Sequence, residues 1–356
     1  MALKIGMLTS GGDCQGLNAV LRGIAKSLYH MVPGVELYGI RNGYQGLIER
    51  DWCELRPSDF SGILRQGGTI LGTSRQPYKS MIDKDDPTGL SEKAKTIIAN
   101  AKEFGFDAIA ILGGNGTQKT ANLLSENGIN VVGLPKTIDN DLWGTDLTFG
   151  FDSAVLKATS VIDSIHTTAE AHGRVFVIEL MGHKVGWISL YAGMAGGADV
   201  ILLPELPYDL DSVIKVIDAR TNRGKKFSII VIAEGAYSTE EMKIPRKKRE
   251  NLIGTSGARL RDALANHIEQ DVKLVIPGYY QRGGEPTPTD RLLCTRFGSK
   301  AASMIVEGRF GEMVSMQGRD IASVPLAEVA GKLKTIELDS DILVEARLLG
   351  IHFGDS

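Results

Sequence analysis

One pattern recurs five times in this chain: a short apolar run that ends in a glycine-bearing turn. Lys4 to Thr9 runs into Ser10-Gly11-Gly12-Asp13, and Asp107 to Leu112 into Gly113-Gly114-Asn115-Gly116-Thr117. Val175 to Leu180 runs into Met181-Gly182-His183, and Phe227 to Ala233 into Glu234-Gly235. Leu274 to Ile276 runs into Pro277-Gly278, then Gln281-Arg282-Gly283-Gly284. After the first turn, Leu17, Val20, Leu21, Ile24 and Leu28 fall on one helical face, and Val35 to Ile40 forms the next strand. That order, strand–turn–helix–strand, predicts an α/β fold with mainly parallel sheets. In open sheets of this kind ligands bind beyond the carboxyl ends of the strands. Glycines there let backbone N–H groups approach a phosphate closely, so five such ends favour a phosphate-bearing ligand.

With 356 residues and 43% hydrophobic content, the chain suits two globular domains. Ser153 to His172 reads as a long helix with Val155, Ala158, Val161, Ile162 and Ile165 on its apolar face. The strand rhythm restarts after it, which places a boundary near Gly150. A formal charge of -3 shows no basic excess for nucleic acid and no acidic tail. The apolar runs are too short to span a membrane, and Met1-Ala2-Leu3-Lys4-Ile5 enters a strand without a signal-peptide design. Cys14, Cys53 and Cys294 are odd in number and far apart, which argues for a reducing compartment and against a disulfide framework or a zinc site. A soluble cytoplasmic protein is expected. Gln76 to Thr88 and Tyr237 to Asn251 read as charged surface loops, and Lys247-Lys248-Arg249 as a solvated run.

Pro135-Lys136-Thr137-Ile138-Asp139-Asn140-Asp141 is the densest chemistry in the chain. It follows Ile129 to Leu134, read as a buried strand ending at Pro135. Two carboxylates two residues apart, with a hydroxyl, an amide and a lysine beside them, suit a base, a metal ligand and a phosphate contact. A plain Asp/Asn turn would have the same composition. The first glycine turn lacks the Gly-x-Gly-x-x-Gly spacing of a dinucleotide site, and Arg41 stands where a ribose-binding acid is expected. No Walker lysine motif occurs.

Ordered motifs carry a resemblance over nearly the whole length. They are Thr9-Ser10-Gly11-Gly12-Asp13 with Gly16-Leu17-Asn18, Gly67-Gly68-Thr69-Ile70-Leu71-Gly72-Thr73-Ser74-Arg75, Gly113 to Thr117, Pro135 to Asp141 and Gly150-Phe151-Asp152. Met181-Gly182, Ala195-Gly196-Gly197-Ala198, Ala233-Glu234-Gly235 and Gln281-Arg282-Gly283-Gly284 follow. The chain resembles the bacterial-type 6-phosphofructokinases, in the group with a lysine in the Pro-Lys-Thr-Ile-Asp-Asn-Asp loop. The resemblance implies two Rossmann-like three-layer αβα domains with the active site in the cleft between them. The larger, donor-binding domain would hold 1–150 plus about 278–325, and the smaller, sugar-phosphate domain about 151–277 plus 326–356.

The resemblance also implies the reaction: the γ-phosphoryl of ATP passes to the C1 hydroxyl of fructose 6-phosphate, giving fructose 1,6-bisphosphate and ADP in glycolysis, with Mg²⁺. Asp139 matches the catalytic base, with Thr137 and Asp141 beside it. Thr137, Ile138, Asp139, Arg174, Met181, Gly182, His183, Glu234, Lys273, Tyr279 and Arg282 match sugar-phosphate contacts. Gly12, Tyr44, Arg75, Gln76, Gly114, Asn115, Gly116 and Thr117 match nucleotide contacts, and Tyr44 equally suits a core position. Arg174 matches an arginine contributed across a subunit interface, so a homo-oligomer with shared active sites, a dimer or tetramer, is expected.

Several positions depart from the family pattern. Asn115 stands where an aspartate helps hold Mg²⁺, leaving the metal to Asn115, Asp139, Asp13 and the substrates. His183 stands for an arginine, with Lys184 beside it; Lys273 replaces a cross-subunit arginine and Tyr279 a histidine. Gly116 leaves the room that ATP users leave, whereas Lys136 is common in pyrophosphate users. ATP is the expected donor because an acid at 116 would repel the nucleotide and a glycine does not. Pyrophosphate as donor, sedoheptulose 7-phosphate as acceptor, or a sensor with reduced catalysis are the alternatives. Arg22, Lys26, Arg223, Lys225 and Lys226 lie where the family binds effectors, with His166 in place of an arginine; solvated helix charge is the other reading.

Overall fold

The computed structural model describes residues 2–355. Its strands, in chain order, are β1 (Lys4–Ser10), β2 (Glu36–Ile40), β3 (Trp52–Leu55), β4 (Ala108–Gly113), β5 (Val131–Pro135) and β6 (Val175–Leu180). They continue with β7 (Val200–Leu202), β8 (Ser228–Ala233), β9 (Val272–Val275), β10 (Glu312–Gln317) and β11 (Asp320–Pro325). The chain divides into two compact units. One holds Met1–Ser153 with Arg282–Lys334, the other Ala154–Gln281 with Thr335–Ser356.

The first unit carries a seven-stranded sheet in the order β11-β10-β5-β4-β1-β2-β3. Its five inner strands are parallel, and β3 and β11 pair antiparallel at the two edges. From β1 the chain first adds β2 on one side and later β4 on the other. The strand order therefore reverses between β1 and β4, where an open α/β sheet leaves a crevice for ligands. The helix Leu17–Met31 buries Leu17, Val20, Leu21, Ile24 and Leu28, the face its spacing predicts. It packs against the helix Pro288–Val306 through glycine: a Cβ on Gly298 would lie 2.6 Å from Val20 O and 2.8 Å from Gly23 Cα. Any larger residue at 298 would push the two helices apart.

Residues 326–334 stay with the first unit, not with the second as the resemblance implied. Leu326 and Val329 explain this, since both are buried in the first unit's core beside Met313 and Val324. Gln76 to Thr88 is less of a surface loop than its charge suggested: Met81 is fully buried in the same core.

The second unit carries four strands, all parallel, in the order β7-β8-β6-β9. β6 and β8 are buried throughout, over a core that includes Val213, Ile217, Leu260 and Leu264. The helix Phe151–His172 runs through the unit boundary. Ala154, Ala158 and Ile162, at a spacing of four, form its buried stripe, and Val155, Val161 and Ile165 are only half-buried. Lys247 and Lys248 are exposed.

Candidate active site

From Thr137 to Asp141 the chain alternates: Ile138 and Asn140 are buried, and Thr137, Asp139 and Asp141 line a pocket. β5 ends at Pro135 and the chain bends at residues 138–139, so this alternation is set by the turn and not by a continued strand. The turn chemistry falls to Asn140, which adopts a left-handed φ of 52° that Asn tolerates. Its Oδ1 accepts from Thr148 N at 3.1 Å, and Thr148 Oγ1 donates to Thr137 O at 2.7 Å. Asp139 N donates to Thr137 Oγ1 at 3.1 Å. Asn140 thus ties the loop across to Thr148, Thr137 closes a local turn onto Asp139 N, and Asp139 and Asp141 line the pocket.

The other wall comes from the carboxyl ends of β1 and β4. Gly113 ends β4, and the helix Asn115–Glu126 begins at once, so Asn115, Gly116 and Thr117 form a first helical turn and not the loop expected. Their N–H groups have no intrahelical partners, and Gly114 supplies no side-chain cap. The segment through Arg75 is clamped beside β1: Gly11 N donates to Ser74 O at 3.0 Å, Thr73 Oγ1 to Gly11 O at 2.7 Å, and Thr9 Oγ1 to Gly72 O at 2.7 Å. Asn18 holds the same segment from the helix side, accepting from Ile70 N and donating to Gln66 O. These bonds account for the Gly16-Leu17-Asn18 and Gly67-to-Arg75 motifs as one assembly.

Together the two walls enclose about 370 Å³, lined by Gly11, Gly12, Arg75, Gln76, Gly114, Asn115, Gly116, Thr117, Lys136, Thr137, Asp139, Asp141 and Arg282. Ser10, Pro77 and Tyr78 also line it and were not singled out from the sequence. Lys136 is almost wholly buried, its ammonium donates to Gly12 O, and burial lowers its pKa. Arg282 lies against the same turn: a Cβ on Gly12 would be 3.0 Å from Arg282 Nη1, which donates to Asp13 O at 2.9 Å. At Gly116 an added Cβ would meet no atom within 4 Å. One wall therefore offers backbone N–H groups, the other carboxylates, with two cations at the floor.

Tyr44 is a correction. It is 1% exposed in the core, and its hydroxyl donates to Thr117 O at 2.9 Å, so it supports the helix behind the pocket and cannot touch a nucleotide. Ile138 is fully buried and contributes only backbone. Among the described residues no three His, Cys, Asp or Glu side chains converge to hold a metal, and Asp13 does not line the pocket. The resemblance implies a divalent cation, and a hard cation needs only one or two carboxylates plus phosphates and water. Asp139, Asp141 and the Oδ1 of Asn115 fit that demand; Asn115 Nδ2 is already committed to Lys332 O at 2.5 Å.

Two groups near the loop escaped the sequence reading, the half-buried Lys334 and the buried Asp290. Lys334 Nζ donates to Asn140 Oδ1 at 2.9 Å, Thr145 O at 2.9 Å and Asp146 O at 2.7 Å. Burial pushes its pKa down to about 8 against the opposing pull of Asp146 and Asp141. Asp290 accepts from Gly150 N at 3.1 Å, Ser153 N at 2.9 Å and Ser153 Oγ at 2.6 Å. Burial pushes it up to about 6, with those hydrogen bonds working the other way.

In the second unit, Met181, Gly182 and His183 follow β6, and Glu234 follows β8 beside it. Gly182 N approaches Glu234 Oε1 at 3.4 Å, and His183 and Lys184 are exposed. Tyr279 is 79% exposed in the turn after β9. Arg174 and Lys273 sit at the opposite, amino ends of β6 and β9, where both contact Asp271 Oδ2, at 3.1 and 2.8 Å. The six residues of β6 separate Arg174 from Met181, roughly 23 Å at strand rise. Of the effector candidates, Lys26, Arg223, Lys225 and Lys226 are exposed and Arg22 is half-buried. His166 Nε2 lies 2.7 Å from Gly196 O and stacks edge-on against Phe227, a structural setting.

A parallel α/β sheet whose switch point carries backbone donors, cations and facing carboxylates defines a phosphotransferase. The family pattern described as Phosphofructokinase matches residues 4–305. The ATP-dependent 6-phosphofructokinase of Spirochaeta thermophila is 51% identical over 98% of this chain and 97% of its own length. The ATP-dependent 6-phosphofructokinase 3 of Bacteroides thetaiotaomicron is 46% identical over 99% and 100%. Among solved structures, Pichia pastoris phosphofructokinase in the T-state superposes with a TM-score of 0.80 at 30% identity, covering 92% of this chain and 35% of that one. The chain belongs to the phosphofructokinase family. Among the described residues no helix is long and apolar enough to cross a membrane.

Proposed function

We propose that this enzyme is an ATP-dependent 6-phosphofructokinase, transferring the γ-phosphoryl group of ATP to the C1 hydroxyl of fructose 6-phosphate. The names borne by relatives at 45–51% identity support the reading. The observation that carries it is Asp139 lining one pocket with Gly12, Arg75 and the first turn of the helix Asn115–Glu126. Asp139 accepts the proton of the C1 hydroxyl as that oxygen attacks phosphorus. The backbone N–H groups of residues 115–117, with Arg75, receive the donor's phosphates. Lys136 and Arg282 offset the negative charge gathered at the pocket floor. Asp139, Asp141 and Asn115 Oδ1, together with the phosphates, would hold Mg²⁺, and the ion would supply further charge neutralisation.

Met181, Gly182, His183, Glu234 and Tyr279 contribute to fructose 6-phosphate binding. His183 lacks the guanidinium fork of the usual arginine, and Lys184 offers a point charge in its stead. Arg174 and Lys273, at the far end of their sheet from Gly182 and Glu234, serve the sugar phosphate of a second copy of the chain. The reading therefore includes a homo-oligomer, a dimer or tetramer, working in the cytoplasm.

A pyrophosphate donor is the second reading, and the ammonium of Lys136 in the pocket favours it. Gly116 favours ATP, because the space beside it is open to a nucleotide. Initial rates with ATP and with pyrophosphate at matched Mg²⁺ decide between them; ATP is expected to be the faster, and a much faster pyrophosphate rate reverses the assignment. Asp139→Ala is expected to lower kcat with the better donor by roughly 10²–10⁴-fold. Unchanged turnover would remove Asp139 as the base.

A further inference from the structure

The segment 331–334 touches both walls of the pocket. On the donor side, Lys332 O accepts from Asn115 Nδ2 at 2.5 Å. On the acid side, Leu333 forms an antiparallel bridge with Leu142, and Lys334 N donates to Asp141 O at 2.9 Å. The Lys334 ammonium then donates to Asn140 Oδ1, Thr145 O and Asp146 O. Asn140 lies between Asp139 and Asp141 and holds the left-handed turn that separates them.

We infer that Lys334 is a positioning residue for phosphoryl transfer, whose ammonium cross-links Asn140, Thr145 and Asp146 so that Asp139 and Asp141 are held toward the pocket. The inference rests on the reading of Asp139 as the base. Its physical basis is the sensitivity of such chemistry to placement: a shift of about 1 Å in a catalytic group costs about 10²-fold in rate. Asn140 Oδ1 receives Thr148 N as well as the ammonium, so one amide oxygen joins the loop to two other parts of the chain. Removing the ammonium leaves Thr145 O and Asp146 O without that donor and lets the loop drift. A bond made only to hold the chain together would change stability and leave the rate per folded molecule alone.

The test uses the full-length enzyme and three substitutions, Lys334→Met, Lys334→Arg and Asn140→Gly, the last chosen because glycine accepts the left-handed φ while deleting Oδ1. In Lys334→Met, kcat at saturation is expected to fall roughly 10–100-fold, with both KM values changed less than about threefold. Lys334→Arg is expected to recover part of the rate, and Asn140→Gly added to Lys334→Met to cost little more than Lys334→Met alone. A folded Lys334→Met enzyme with kcat within about twofold of the parent would overturn the inference, as would independent, multiplying losses in the double variant. Should Lys334→Met fail to fold, Lys334→Gln, which leaves the Thr148 tie in place, decides instead: a kcat loss supports the link and a parent-like kcat overturns it. Asp139→Ala run in parallel separates the two readings. If it stays active the base assignment fails; if it is inactive while Lys334→Met is fully active, only the present inference fails.

Discussion

The two walls of the pocket are built from different materials. At the ends of β1 and β4 the wall presents backbone through Gly11, Gly12, Gly114 and Gly116, with Arg75, Asn115 and Thr117 beside them, and a helix begins there. The wall after β5 is all side chains, and each works because another side chain holds it: Asn140, Thr148 and Lys334 behind Asp139 and Asp141, and Asp290 beyond them at Gly150 and Ser153. A bare wall recognises a phosphate by shape and N–H direction, whatever else the ligand carries. A furnished wall does the proton chemistry and depends on remote supports. The first should be sensitive to added atoms and the second to removed ones.

Putting a carboxylate on the bare wall is the hardest blow to that contrast. Gly116→Asp has open space for its side chain and should fold normally. It should lower kcat/KM for ATP by roughly 100-fold through occupancy and charge repulsion. ATP kinetics at parental levels in the variant would mean that the absent side chain is not what admits the nucleotide.

The furnished wall is probed by removing a charge from its support. Burial pushes the Asp290 carboxyl up to about 6, above its unfolded value, so the folded state holds the extra proton between about pH 4 and 6. Stability from this carboxyl is present below that range and lost as pH rises through 6, a change of about 3 kcal/mol. Urea unfolding of the parent and of Asp290→Asn across pH 4–7 should show the parent's advantage shrinking by that amount. A difference that stays flat with pH would show that the bonds from Gly150 and Ser153 outweigh burial.

The smallest effect belongs to a buried side chain behind the bare wall. Tyr44→Phe deletes the bond to Thr117 O and should cost about 1 kcal/mol of stability, with KM for ATP unchanged. A raised KM at full stability would return Tyr44 to the binding surface.

Much of the bare wall was legible, because an apolar run followed by glycine is a local signal and five repeats fix the fold class. The helix start at Asn115 was not, since Gly114 stands where Ser, Thr, Asp or Asn would announce a cap. Asp139 and Asp141 stood out for their spacing, yet the support from Lys334 comes from a part of the chain almost 200 residues away, with no local mark. Tyr44 has an apolar ring and a polar tip, so composition alone suits it to core and site alike. Arg174 and Lys273 came from the resemblance; only strand register reveals that they lie at the opposite end of the sheet from Gly182.

The sheet order β11-β10-β5-β4-β1-β2-β3 sets the three strands that feed the pocket in the middle, with two neighbours on either flank. Fraying begins at a sheet's margins, where one side of a strand has no partner. Thermal breathing that loosens β3 or β11 must cross β2 or β10 before it disturbs a single working loop. Amide hydrogens of β1, β4 and β5 should accordingly be the last in this sheet to exchange with solvent, and the chemistry sits on the most slowly opening ground the fold has.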